Sequence, residues 1–371
     1  MRRKISILWV VLGTVFVGFT IYSLDKIGSS IPYFNVYKPD VEIVNSEVEE
    51  QLFQFQHNHE DSDVVGELKE NVRVLCWIMS GPNNTHKAMA VNATWAPRCN
   101  KYFFVTAGNG LPSVDLNVTA GRNHLFEKSK RAFKYLYDTD LNDYDWFLKA
   151  DDDTFVIMEN LRFMLLSYSP NDPIYFGCKF ESKFKQGYMS GGAGYVLSRE
   201  AVRRLVEVGL NDTAKCSQDE EGAEDVQIGK CLEAVNVVAG DARDTNGNLR
   251  MLPFEATALV DMSKKKKPGY VKWFYNETLY TYNKYKEPLS DYAISFHYIN
   301  PVQMHGLFDR LYKLKVVGVT DSLDLVAKAE MKNNRKLIDV LRSISQNTSL
   351  PFSELVARRN LKSSNLSTSI Q

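Results

Sequence analysis

The 371-residue chain has no charge excess, since 45 Lys and Arg balance 45 Asp and Glu. A net charge of zero gives no electrostatic footprint for a polyanion, so nothing in the composition argues for nucleic acid as a partner. The five cysteines, Cys76, Cys99, Cys178, Cys216 and Cys231, include no Cys-x-x-Cys pair and no zinc-like spacing, which favours disulfides over a thiolate metal site. Five is odd, so one thiol stays free or pairs between chains, and a homodimer stays open. Four of the cysteines fall into sequence-local pairs, Cys76 with Cys99 and Cys216 with Cys231, which leaves Cys178 as the expected unpaired thiol. There is no internal repeat and no Gly-x-Gly-x-x-Gly dinucleotide fingerprint.

What is present begins with Arg2, Arg3 and Lys4 ahead of an uncharged stretch from Ile5 to Leu24. Twenty such residues can cross about 30 Å of hydrocarbon as a helix. The stretch lacks a small-residue cleavage site, so it reads as an uncleaved signal anchor, with residues 1–4 cytosolic and the rest lumenal. Sequons begin at Asn83, Asn92, Asn117, Asn211, Asn276, Asn347 and Asn365, which agrees with a secretory address. Residues 25–70 are polar without a sustained apolar period and read as a solvated stem. Residues 71–317 alternate strands and helices. Within residues 318–371, Leu323 to Ile344 fits an amphipathic helix carrying Leu325, Val326, Leu337, Leu341 and Ile344, and Arg359 to Gln371 is expected to be disordered.

The dense region reads as an α/β layer fold with a mostly parallel sheet. Expected strands are Val72 to Met79, Tyr102 to Thr106, Trp146 to Ala150, Ile174 to Gly177 and Gly194 to Leu197. Expected helices are one marked by Phe126, Phe133, Leu136 and Tyr137, one over Arg199 to Val208 capped by Ser198, and one over Glu224 to Val235. Asp151, Asp152 and Asp153 follow the third of these strands, at the carboxyl end where such sheets meet their ligands. Successive carboxylates repel unless a cation takes up the charge, which suits oxygen ligation of Mn²⁺ or Mg²⁺ and, through it, a diphosphate. A solvated acidic turn is the plainer alternative. Gly81 sits after the first strand, where a nucleotide rests on such a sheet.

Four blocks then occur in order: Trp146 to Phe155 (Trp-Phe-Leu-Lys-Ala-Asp-Asp-Asp-Thr-Phe), Gln186 to Ser198 with its Gly-Gly-Ala-Gly core, Glu224-Asp225, and Ser295 to Tyr298. Together they resemble the core 1 β1,3-galactosyltransferase family, over roughly Val72 to Leu314. The resemblance implies a GT-A fold in a Golgi type II membrane enzyme. It also implies UDP-galactose as donor, Mn²⁺ as cofactor, with Mg²⁺ as the other candidate, and GalNAc α-linked to Ser or Thr of glycoproteins as acceptor. Asp151 and Asp153 would hold the metal together with His297, and Asp151, Asp152 and Gly81 would face the nucleotide sugar. Asp225 would be the general base, and Glu224 would orient substrate or support the loop. Tyr188, Met189, Gly191, Gly192, Trp273 and Tyr275 would line the sugar and acceptor sites.

Each assignment has a plainer counterpart. A lone histidine between aromatics is commonly a core residue, a carboxylate opening a helix is commonly a cap, glycines mark tight turns, and the aromatic run Trp273 to Tyr285 could be a satellite core. Two departures stand out: Lys286 to Leu289 occupies the place where the family carries adjacent cysteines, and Cys178 replaces a position that is often basic. Besides the galactosyltransferase, a related β1,3-transferase of another sugar and an inactive chaperone-like paralogue stay open.

Overall fold

The computed structural model describes residues 63–105, 108, 110–182, 184–256, 273–274, 276–280, 289–314 and 336–367. The expected anchor at Ile5 to Leu24 lies outside them, and among the described residues no helix is long and apolar enough to cross a membrane. In chain order the strands are β1 (Val74–Met79), β2 (Lys101–Val105), β3 (Ser113–Val114), β4 (Trp146–Asp151), β5 (Phe155–Val156), β6 (Ile174–Gly177), β7 (Lys179–Phe180), β8 (Tyr188–Met189), β9 (Tyr195–Ser198), β10 (Val238–Ala239), β11 (Met251–Leu252) and β12 (Ser295–Phe296). The helices that matter below are α1 (Asp63–Asn71), α2 (Thr85–Asn92), α3 (Leu125–Asp140), α4 (Met158–Leu165), α5 (Arg199–Arg204), α6 (Glu224–Ala234), α7 (Pro301–Tyr312), α8 (Leu337–Asn347) and α9 (Phe352–Ser367).

The main sheet has the order β10-β6-β9-β4-β1-β2-β3. Every residue of β1 is buried, as a central strand covered on both faces requires. Its side chains alternate between two cores: Val74, Cys76 and Ile78 enter one with α1 and α4, and Leu75, Trp77 and Met79 enter the other with α3 and α6. The sheet is mixed rather than of one direction. β1 runs parallel to β2 and β4, and β6 parallel to β10, but β9 is antiparallel to both β4 and β6. Apolar runs declare burial, not direction, so the sequence pattern alone could not reveal this reversal.

Two boundaries differ from the sequence reading. Residues 63–70, assigned to the stem, belong to α1, whose Val64 and Leu68 are buried in the core. Burying two such side chains contributes about 1.5–3 kcal/mol each, which is enough to seat a short helix. At the other end, helix α9 continues to Ser367 through much of the stretch expected to be disordered. The segment before it is stitched to the domain: Arg250 donates to the Thr348 carbonyl (2.8 Å), Ser345 to the Phe163 carbonyl (2.5 Å) and Tyr168 to the Leu350 carbonyl (2.9 Å). Leu337 and Leu341 are buried as expected, and Leu325 and Val326 lie outside the described residues. Cys76 bridges Cys99, Cys216 bridges Cys231, and Cys178 is a buried free thiol, the pairing read from spacing.

Candidate active site

The acidic triplet sits where β4 ends beside Met79 of β1. Within it the carboxylates diverge. Asp151 and Asp153 gather with His297, their ligand atoms all within 4.8 Å of one another. Asp152 turns into the protein: it is 5% exposed and accepts a 2.7 Å hydrogen bond from Ser80, next to Gly81. Burial lifts its carboxyl above the usual range in spite of that bond.

His297 arrives from far along the chain by a short sheet. β12 pairs antiparallel with β5, Phe296 opposite Phe155, so the next residue falls level with the triplet. The Ile299 amide donates to the Asp153 carbonyl (2.9 Å) and locks that register. Nε2 of His297 lies 3.2 Å from Oδ1 of Asp153, and Nζ of Lys87, on α2, lies 2.9 Å from Oδ2. Burial pushes the Asp153 carboxyl up, but these two partners prevail and hold it well below the usual carboxylate range. Two carboxylate oxygens and an imidazole nitrogen are a donor set suited to Mn²⁺, and to Mg²⁺ less well because of the nitrogen.

The Gly-rich block packs against this cluster. A Cβ at Gly192 would come 2.1 Å from the His297 ring, and one at Gly191 would come 3.1 Å from Glu224. Gly194 has φ +76°, a conformation that favours glycine. The tight approach that requires Gly192 is therefore made by the histidine of the cluster. Gly192→Ala is expected to displace His297 and so weaken any divalent-cation binding at this cluster by about 10-fold or more, measured by calorimetric titration with Mn²⁺ and Mg²⁺, with helical content by circular dichroism unchanged.

Glu224 and Asp225 open α6 and face different surroundings. Glu224 is buried, and its Oε1 accepts from Ser129 (2.6 Å) and Tyr195 (2.5 Å). Burial raises its pKa even with Lys149 nearby. Asp225 is half-buried, with Oδ1 accepting from its neighbour Val226 N–H and Oδ2 from Gly191 N–H, both at 2.9 Å. Of the pair, Glu224 is built into the frame and Asp225 borders the glycine loop.

Lys149 was not singled out in the sequence, although a lysine amid an apolar strand is a signal. It is 3% exposed, with Nζ 2.6 Å from Asp151, 3.1 Å from the Gly191 carbonyl and 3.9 Å from Glu224. Burial disfavours the charged amine, yet Asp151 and Glu224 outweigh it and hold Lys149 above the usual lysine range. It joins the carboxylates of Asp151 and Glu224. Lys149→Met should cost about 3–5 kcal/mol, since it removes the cation beside buried Glu224 and partly buried Asp151. Adding Glu224→Gln should recover part of that loss in urea melts.

Tyr188 lies on the β7–β8 hairpin, half-buried, its phenol pushed up to about 12 by burial and Asp225, and Met189 opposite Lys179 is buried. Trp273 packs edge-on against Phe180 (5.5 Å), and Phe274 is fully buried, so this part of the aromatic run does serve as a core. Tyr275 and Lys286 to Glu287 lie outside the described residues. Gly81 is half-exposed.

A profile of the Fringe-like family matches residues 86–242, a span that holds the acidic triplet, the glycine block and the Glu224-Asp225 pair. The galactosyltransferase LgtC, solved with donor and acceptor sugar analogs, aligns with 70% of this chain and 100% of its own at a TM-score of 0.37 and 12% identity. A beta-1,3-glucosyltransferase of Mus musculus is 30% identical over 153 residues, 40% of this chain and 30% of the relative. Glycoprotein-N-acetylgalactosamine 3-beta-galactosyltransferase 1 of Xenopus laevis is 41% identical over 300 residues, 77% of this chain and 82% of the relative. Identity at that level over that length places this chain in the family of glycoprotein-N-acetylgalactosamine 3-beta-galactosyltransferases.

Proposed function

We propose that this chain is a GT-A enzyme that transfers galactose from UDP-galactose, with inversion, to the 3-hydroxyl of GalNAc α-linked to Ser or Thr of glycoproteins, and that it works as a Golgi type II membrane protein. The observation that carries the reading is the convergence of Asp151, Asp153 and His297 beside the Gly191–Asp225 contact. A divalent ion held by those three residues would offset charge on the departing diphosphate. Asp225 takes the proton of the acceptor hydroxyl while the hydroxyl oxygen bonds to the galactose anomeric carbon. The bond from that carbon to UDP breaks, and UDP leaves with the electron pair. Glu224, clamped by Ser129 and Tyr195, holds the first turn of α6 so that Asp225 keeps its place.

Incubating the full chain with UDP-galactose and a GalNAc-peptide should yield a disaccharide product with Mn²⁺ present and none in EDTA. Transfer from UDP-glucose or UDP-GlcNAc in place of UDP-galactose would reassign the donor. No transfer from any of the three would favour the chaperone-like alternative.

A further inference from the structure

A cavity of about 270 Å³ opens beside the carboxyl end of β10, away from the acidic cluster. Strand β10 runs parallel to β6, and β6 and β4 are each antiparallel to β9, so β10 and β4 end on the same side of the sheet. In the order β10-β6-β9-β4, β10 stands three strand spacings, about 14 Å, from β4.

Long-range contacts build the walls. The Gln186 amide spans β10, with Nε2 donating to the Val237 carbonyl (2.8 Å) and Oε1 accepting from the Ala239 amide (2.9 Å). The Leu279 amide donates to the Lys179 carbonyl (3.3 Å) and brings Leu279 and Tyr280 to β7. Helix α9 presents Leu355, Arg358 and Arg359 at i, i+3 and i+4, one face of a helix. Ala239, Leu279, Leu355 and Tyr280 thus give the cavity a largely apolar lining.

Its charge is one-sided. Lys179, Lys185, Arg358 and Arg359 line the cavity against a single carboxylate, Asp241. Asp241 is 4% exposed and accepts two bonds from Arg243 (3.0 and 2.8 Å). Burial pushes its carboxyl up, but Arg243 prevails and holds it below the usual carboxylate range. Asp241 is therefore already neutralised, and the cations of the lining stand in excess. Arg358 is exposed and paired with Glu354 at 2.8 Å, a surface ion pair of little worth that a ligand can replace.

The volume lies just under the range of about 300–1,000 Å³ usual for small-ligand pockets, so the cavity takes one ring-sized group. Excess cations ask for an anion, and the Arg358 fork matches a carboxylate. The ionised Asp241 disfavours a multiply charged phosphate but accepts from hydroxyls. We infer that this cavity binds a sugar acid, a hydroxylated ring carrying one carboxylate, with the carboxylate at the Lys185 and Arg358 rim and hydroxyls toward Asp241. It is an accessory site, separate from the residues to which the transfer chemistry is assigned.

Calorimetry and ligand-observed NMR on the full chain, with N-acetylneuraminic acid, glucuronic acid, their neutral methyl esters and inorganic phosphate, test it. At least one of the acids should bind at least about 10-fold more tightly than its ester and than phosphate, the scale of one charge-assisted hydrogen bond. The double variant Lys185→Gln, Arg358→Gln should lose about 10- to 100-fold in affinity for that acid and melt with wild type, since both side chains are exposed. Lys134→Gln, which removes an exposed charge from α3, should bind as wild type does. Equal affinity for acid and ester, phosphate binding as tight as that of the acids, or an unchanged double variant would overturn the inference. A GalNAc-peptide bearing a sialic acid, compared with the same peptide without it, identifies the source: tighter binding of the first, lost in the double variant, puts the acid on an acceptor glycoprotein, and equal binding with the free acid still held puts it in solution.

Discussion

Asp153→Asn is expected to lower sugar transfer by at least about 10²- to 10³-fold, the scale on which removing one electrostatic partner of a developing charge acts, and to weaken Mn²⁺ binding in parallel. The substitution keeps the shape and removes the charge. The amide oxygen can still accept from Lys87, which lies 2.9 Å from the carboxylate, so secondary structure should survive and the loss can be assigned to the site. The neighbouring carboxylate supplies the control. Asp152→Asn should leave Mn²⁺ affinity near that of wild type, because Asp152 is engaged with Ser80 and stands apart from the cluster of Asp151, Asp153 and His297. Calorimetric titration of both variants with Mn²⁺, alongside turnover, checks the pair. Equal losses in the two, or full activity of Asp153→Asn in EDTA, would remove the metal from the mechanism.

That contrast within one triplet marks how far the sequence was legible. Three adjacent aspartates announce a charge cluster at a strand end, but successive side chains leave the backbone in different directions, and which two converge depends on a partner strand some 140 residues away. His297 could be suspected only through the motif order, since β12 is two residues long and meets β5 through a long-range register. Strands β1, β4 and β6 were readable because burial on both faces leaves a continuous apolar run. The antiparallel course of β9 was not, since reversal leaves no mark in such a run. Boundaries failed where tertiary contacts decide them: Val64 and Leu68 are two apolar residues in a polar stretch, and only the packing of α1 against α4 and α8 gives them a place. Lys149 left a signal, a lysine amid an apolar strand, that the sequence reading passed over. Ser129 and Tyr195, which fix Glu224, had no sequence signal, for a hydroxyl on a helix or a strand is ordinary until its partner is known.

The division of labour between Glu224 and Asp225 leads to the second large effect. A sugar hydroxyl is a poor nucleophile at neutral pH, so it must lose its proton as the new bond forms, and general-base catalysis contributes about 10²- to 10⁴-fold. Asp225 is the proposed acceptor of that proton, being half-buried, hydrogen-bonded by two backbone amides at 2.9 Å, and next to the glycine block that packs on His297. Glu224, sealed beneath with Ser129, Tyr195 and Lys149, has its carboxylate committed to the frame. Asp225→Asn should therefore lower turnover by about 10²- to 10⁴-fold while UDP and Mn²⁺ affinities stay near wild type, because the amide fills the same space and cannot take the proton. Glu224→Gln should act otherwise, lowering the melting temperature together with turnover, since it alters a buried hydrogen-bonded group. Turnover, calorimetry with UDP and thermal melts on both variants separate the roles. If Asp225→Asn keeps its turnover, or loses UDP binding along with it, Asp225 is a helix cap and the base lies elsewhere in the site.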